Sequence, residues 1–154
     1  MSRVYLGLLK SSDGTCFCWP PAWYREYVFP NYKKYFAPLQ GAKKMTLYIS
    51  DGSYTEFIDD IAACGINGFV LEPTTDMAYI ARQHSKTHSF CGNADTRILL
   101  NGTKEEIYAE VKRCMDIGKR YPGFFMAVGN HIPSNTPVDA ALCYDEVVRK
   151  LSKR

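Results

Sequence analysis

Four short apolar, β-rich runs punctuate the chain at residues 45–49, 68–71, 88–91 and 124–128, and a stretch of helical periodicity follows each of them. This alternation constrains the fold more than any other feature. A helix between two strands carries the chain back to the end where the first strand began, so successive strands run parallel in one sheet. The helices are legible from their spacing and end signals. Residues 104–118 follow Thr103 and Glu106 at capping-box spacing, and Ile107, Val111, Cys114 and Met115 fall on one face. Residues 137–151 begin at Pro137, a residue suited to the first helical position, with Thr136 as the expected cap and Ala141, Val148 and Leu151 in one stripe. Residues 54–64 carry Phe57, Ile58, Ile61 and Ala62, and Gly65 suits the end of that helix. A weaker pattern covers residues 75–82. One more helix, residues 22–36, precedes the first strand, and Pro30 is expected to kink or break it. Residues 1–19 form the least legible segment, with residues 4–9 as a candidate extra strand; residues 20–154 read as one α/β unit.

A chain of 154 residues has room for one domain, and 46% hydrophobic with 23% charged residues is an ordinary globular composition. The net charge of +3 is small and the basic residues are scattered. The doublets Lys33-Lys34 and Lys43-Lys44 read as solvated surface, so no basic stripe for nucleic acid is present. No apolar run approaches the roughly 20 residues of a membrane span. The apolar run in the opening "MSRVYLGLLK" falls short of a signal-peptide core of roughly 7–15 residues, which makes a cytoplasmic protein the expectation. Six cysteines raise the question of disulfides. Cys64, Cys114 and Cys143 sit inside helical patterns and Cys91 ends an apolar run, as small buried thiols do. Cys16 and Cys18 form a lone C-x-C with no second pair to complete a metal-ligand set.

Polar residues gather just after the strands: Ser50-Asp51-Gly52-Ser53, Glu72-Pro73-Thr74-Thr75, Gly92-Asn93-Ala94-Asp95 and Gly129-Asn130-His131. The loops that lead into strands are plainer. In a parallel α/β sheet all strands end on the same edge, and ligands bind there. Each cluster taken singly also suits a turn or a helix cap; Asp95, for instance, is placed to cap a short turn over residues 96–99 or to pair with Arg97. Together they mark a common mouth. Its expected substrate-binding residues are Ser50, Gly52, Glu72, Asn93, Asp95 and Asn130, with Asp51 and His131 as the expected catalytic pair. Of the histidines, His84 and His88 fall on the opposite, inlet side and read as surface. His131 falls at the mouth, where an imidazole can hydrogen-bond a carboxylate or donate a proton near neutral pH.

At this level of detail the sequence resembles a known family. "GNADTRILLNGTKEEIYAEVKRCMDIG", followed by "GFFMAVGNHIPSNTPVDAALCYDEVV", resembles the C-terminal part of the uroporphyrinogen decarboxylase family, whose superfamily also holds cobalamin-dependent methyltransferases. "PAWYREYVFPNYKKYF" and "LYISDGSYTEFIDDIAACGINGF" resemble two further stretches of the same pattern. The resemblance runs from about residue 13 to the end. It implies a TIM (β/α)8 barrel, of which this chain supplies the C-terminal half, since a whole barrel takes about 250 residues. The part of the family pattern that carries the substrate-gripping arginines and the aspartate over the pyrrole nitrogens has no counterpart here.

Departures from the family pattern narrow what the resemblance implies. The methyltransferase branch binds zinc through an H-x-C-G turn and a later Cys; aligned on Gly52, these positions hold Ile49, Asp51 and Asn130, so neither thiol nor imidazole remains for that metal. The decarboxylase's Gly-His turn after the last strand appears as Gly129-Asn130-His131, one residue longer. Its serine-bearing loop appears as Asp13-Gly14-Thr15. Three readings stay open at this point. One is a decarboxylase-like protein that binds an acidic tetrapyrrole or related small molecule, with no cofactor and no activity as an isolated half. Another is a methyl-transfer enzyme working on a methoxy-type substrate with a corrinoid protein or a folate. The third is a non-catalytic binding module. A half-barrel exposes two strand edges and an inner face with Leu47, Val70 and Phe125, so a homodimer, or a complex with a separate N-terminal half, is the expected assembly.

Overall fold

A computed structural model describes residues 20–153. The candidate strand at residues 4–9, the Asp13-Gly14-Thr15 loop and the Cys16/Cys18 pair lie outside the described residues. The chain opens with α1 (Pro21–Trp23), a π-helical turn (Tyr24–Val28) and α2 (Phe29–Gly41). It then alternates: β1 (Leu47–Ile49), a 3-10 turn (Thr55–Phe57) with α3 (Ile58–Ala62), β2 (Gly68–Val70), α4 (Met77–His84), β3 (Ser89–Ala94), α5 (Thr96–Asn101), α6 (Lys104–Gly118), β4 (Phe124–Val128) and α7 (Val138–Ser152). The strands form one four-stranded sheet in the order β1-β2-β3-β4, every pair parallel. This is the α/β architecture that the alternation predicts, and it is consistent with part of a TIM barrel.

Register explains the core. Tyr48, Phe69, Phe90 and Phe124 pair in one row across the sheet. The first three are at most 2% exposed, and they pack with Phe36, Ile58, Ile61, Ile80 and Cys114 from the helices. Each such side chain contributes roughly 1.5–3 kcal/mol by leaving water. The neighbouring row, Ile49, Val70, Cys91 and Phe125, has the opposite orientation, because side chains alternate along a strand. It is the less covered one: Phe125 is 62% exposed. Leu47 and Val70 are half-buried rather than open.

Several elements differ from the sequence reading. Pro30 does not break the first helix. A five-back hydrogen bond from Phe29 N–H to Tyr24 O widens the turn just before the proline, and the helix then runs on to Gly41 with Pro38 inside it. A π turn makes room where a proline ring and its missing N–H disturb the regular ladder. The helix after β1 is shorter than its apolar spacing suggests, because its first turn is 3-10 and Tyr54 is a fully buried core residue ahead of it. Gly65 has the positive φ of +94° expected at a helix end, and a side chain there would collide with Gln40. Thr136 does not cap α7: Pro137 holds that position, and the Thr136 hydroxyl is buried without a hydrogen-bond partner. The buried stripe of α7 is set by Val147, with Tyr144, Val148 and Leu151 beside it. His84 and His88 are packed rather than free on the surface. His84 Nε2 lies 2.8 Å from Asp59 Oδ1 with its side chain only 15% exposed, and both rings lean on Phe69.

The four described cysteines, Cys64, Cys91, Cys114 and Cys143, are free thiols, buried or half-buried. Burial pushes the Cys114 thiol up to about 12. Among the described residues, no helix is long and apolar enough to cross a membrane.

Candidate active site

The C-terminal ends of the strands frame a cleft of about 380 Å³, lined by Gly52, Glu72, Asp95, Arg97, Asn130 and His131 together with Pro73, Thr74, Thr96 and Pro133. Three loops build it. The loop after β1 brings Asp51 and Gly52, the loop after β2 brings Glu72, and the loop after β4 brings Asn130 and His131. Asp95 and Arg97 come from the start of α5, where Asp95 is the N-cap and accepts from Arg97 N–H at 2.8 Å. The alternative roles the sequence offers Asp95, cap or ion pair, are both filled. The Arg97 guanidinium also donates to its carboxylate, with Nε 3.0 Å from each oxygen and Nη2 2.6 Å from Oδ2.

Asn130 ties the mouth together. Its Nδ2 donates to Glu72 Oε1 at 2.6 Å and, more weakly, to Asp51 Oδ1 at 3.4 Å. Its Oδ1 accepts from His131 N–H at 2.7 Å and lies 2.8 Å from His131 Nδ1. Charge crowding shapes the acids. Burial pushes the Glu72 carboxyl above the usual carboxylate range and the nearby Asp51 and Asp95 carboxylates add to that, against the Asn130 amide, which favours the ionised form. Asp95 moves the opposite way, because the Arg97 hydrogen bonds hold it below the usual range.

Two residues expected to touch substrate lie beneath the mouth instead. Asn93 belongs to β3, which runs three residues past the expected end of that strand, and it is 1% exposed. Its Nδ2 donates to Glu72 O and Thr75 O, both at 3.2 Å, and its Oδ1 accepts from Arg113 Nη2 at 3.0 Å. With its polar atoms engaged inside the protein, it supports the loop that carries Glu72. Ser50 is 6% exposed and its hydroxyl donates to Asp51 O at 3.3 Å. Beneath Asp95 a second layer holds the loop: Glu110 Oε1 accepts from Asp95 N–H at 3.0 Å and from Arg113 Nη2 at 2.7 Å. Burial pushes the Glu110 carboxyl up, but these donors outweigh it and leave the group below its ordinary value. Sequence reasoning passed over Arg97 and Glu110 as parts of the site. Arg97 was legible two residues after Asp95; Glu110, on a helix face, was not.

Asp51 and Asn130 come together, with Glu72 beside them. No group of three or more His, Cys, Asp or Glu side chains among the described residues converges in a way that could hold a metal ion. What the arrangement can do is accept or deliver a proton at a cleft wall and hold hydrogen-bond donors against carboxylates.

A parallel sheet backed by helices, with a polar mouth at its C-terminal strand ends, is the layout of a partial (β/α)8 barrel. The chain belongs to the uroporphyrinogen decarboxylase (URO-D) family, whose pattern it matches over residues 8–151. No curated protein matches the chain. Among solved structures it is similar to a methyltransferase from Methanosarcina mazei, with a TM-score of 0.71 at 19% identity. The match covers 88% of this chain and 39% of that one. At this identity the likeness is one of fold, and the chain spans well under half the length of that methyltransferase.

Proposed function

We propose that the chain forms one wall of a small-molecule site of the decarboxylase–methyltransferase superfamily, and that its substrate is neutral or cationic where it meets this wall. The observation behind this is charge. Glu72 and Asp95 line the cleft, Asp51 stands behind them within 3.4 Å of Asn130 Nδ2, and the Arg97 there is already paired with Asp95. An acidic tetrapyrrole would meet these carboxylates at close range, where two like charges 4 Å apart repel by about 4 kcal/mol near a protein surface. A methoxy-type substrate meets no such repulsion. The favoured reaction is therefore methyl transfer. The O–CH3 bond breaks, the methyl group passes without its bonding electrons to a nucleophile on a corrinoid or folate partner, and the alkoxide left behind takes a proton. The Glu72 carboxyl, whose proton is held more tightly by burial, or His131 as its imidazolium through Nε2, would supply it.

Decarboxylation of an acidic tetrapyrrole is the second reading, supported by the family match; it needs the same proton delivered to the carbon that loses CO2, and cations from an opposite wall. A homodimer or a separate N-terminal half is the proposed source of that wall. The 154 residues by themselves are expected to be inactive, because preorganised groups on both sides of a site supply most of catalysis. Parallel titrations separate the readings. A corrinoid protein and a methoxyarene are offered to the chain, with and without a co-expressed partner half, and uroporphyrinogen is offered under the same conditions. Corrinoid methylation supports the first reading; uroporphyrinogen turnover with CO2 release replaces it by the second.

A further inference from the structure

Asn130 stands between the reactive side chains of the mouth, and its amide can face them in only one way. Its Nδ2 is directed at Glu72 Oε1 and Asp51 Oδ1, 2.6 and 3.4 Å away. Its Oδ1 is directed at the His131 backbone nitrogen, 2.7 Å away, and at His131 Nδ1, 2.8 Å away. A backbone N–H can only donate, and an ionised carboxylate can only accept. Turning the amide over would set its NH2 against that N–H and its oxygen against the carboxylates. Both ends would then face groups of their own kind, so the orientation is fixed from both sides. A protonated Glu72 would still accept through its carbonyl oxygen, so the arrangement survives a change of charge there. The oxygen that faces His131 offers lone pairs only. Of the two neutral tautomers of the ring, only the one with its proton on Nδ1 makes a hydrogen bond across that contact.

We infer that Asn130 is a positioning residue, one that relays the placement of the Glu72 and Asp51 carboxylates to His131, fixes the imidazole as its Nδ1–H tautomer and reserves Nε2 for proton exchange with substrate at the cleft. An amide suits this role. It dictates the tautomer as a carboxylate behind a histidine does, without putting a full negative charge against the ring. The other charged groups at the cleft, Asp95 and Arg97, neutralise each other through their own ion pair. The catalytic part of the inference rests on the reading of this mouth as a proton-transfer site; the tautomer does not.

The test reads the ring directly. Long-range proton–nitrogen correlations are recorded on the uniformly 15N-labelled chain at a pH where its histidines are neutral. His131 is assigned as the signals lost in His131→Gln. The expected pattern is a protonated, pyrrole-like Nδ1 and an unprotonated, pyridine-like Nε2. In Asn130→Ala the ring is expected to move toward Nε2–H, the tautomer that free imidazole side chains prefer in water. A wild-type His131 that is already Nε2–H, or an Asn130→Ala ring unchanged from wild type, overturns the inference. If the alanine variant does not fold, the wild-type spectrum alone decides. No substrate is involved, so a confirmed Nδ1–H ring in a protein that carries out neither reaction even when a partner supplies the opposite wall would sink the proposed function and leave the tautomer assignment standing.

Discussion

Replacing Asn93 by leucine should cost the fold about 3 kcal/mol, although the new side chain is apolar and of similar length. The amount follows from what Asn93 holds. Its amide is the donor to Thr75 O and a second donor to Glu72 O, which keeps the Thr75 N–H at 3.0 Å. Leucine strands the Thr75 carbonyl in a site that is 1% exposed, where a buried unpaired group costs roughly 1–3 kcal/mol. The Arg113 contact to Oδ1 is lost as well, though Arg113 keeps both Glu110 oxygens. These lesser losses add about 1 kcal/mol. Leucine is the sharper choice over alanine, because it leaves little room for a rescuing water. Urea unfolding followed by circular dichroism measures the change, with equal slopes required of the two proteins. By the usual scaling of about 2–4 °C per kcal/mol for a domain of this size, Tm should fall by roughly 6–12 °C. Arg149→Ala, at an exposed i,i+4 pair with Asp145, is the control and should stay within about 0.5 kcal/mol. If Asn93→Leu proves no more costly than that control, the account of Asn93 as the support of the Glu72 loop is wrong.

The remaining predictions concern charge, packing and assembly. Glu72→Gln should stabilise the chain at neutral pH. A carboxyl whose folded value is raised holds its proton more tightly when folded, so its ionisation above that value costs stability. The gain should shrink as pH falls through the raised value and vanish below the unfolded value of about 4.3, where Glu72 is protonated in both states; a gain that persists undiminished at pH 3 would refute this origin. Gly68→Ala should destabilise by roughly 1–3 kcal/mol, because a Cβ there would stand 2.7 Å from the Ser89 carbonyl oxygen in the adjacent strand; wild-type urea stability in that variant would contradict the packing. Light scattering at micromolar concentration should give a dimer, since β1 and β4 form the sheet edges among the described residues and Phe125 is 62% exposed on β4. A stable monomer would show that the chain covers these surfaces itself.

Much of the architecture was legible because its signals are local. The Thr103–Glu106 capping box forms as its spacing requires, with the Thr103 hydroxyl accepting at 3.2 Å and Glu106 Oε2 accepting at 2.7 Å. Strand β4 lies at the residues where the apolar run does, and Gly65 closes its helix with a positive φ. In each case the interacting groups sit within one turn or one strand, so residue spacing alone carries the geometry. The end of β3 was misplaced for a related reason. Gly92 and Asn93 read as turn formers by propensity, and the parallel partner that keeps them extended, Met126 and Ala127 of β4, is more than thirty residues away.

The mouth was legible as a set of loops but not as a set of contacts. Ordering strands in a parallel sheet is enough to place Asp51, Glu72, Asp95, Asn130 and His131 on one edge, and the sequence determines that much. It does not determine that Asn130 reaches Glu72, 58 positions away, rather than Asp95, or that Asn93 turns into the protein while Asp95 stays at the cleft. Those choices depend on how far each loop leans over the sheet and on which polar group finds a partner once water is excluded. Glu110 shows this most clearly. On its helix it occupies an ordinary polar position with Arg113 three residues further on, and only the packing of α6 beneath the β3–α5 junction brings Asp95 N–H to its carboxylate. Burial makes such a group expensive unless it is paired; the Arg113 partner is local, at i,i+3, but the burial and the Asp95 bond are settled by the relative placement of separate elements, which no local pattern encodes.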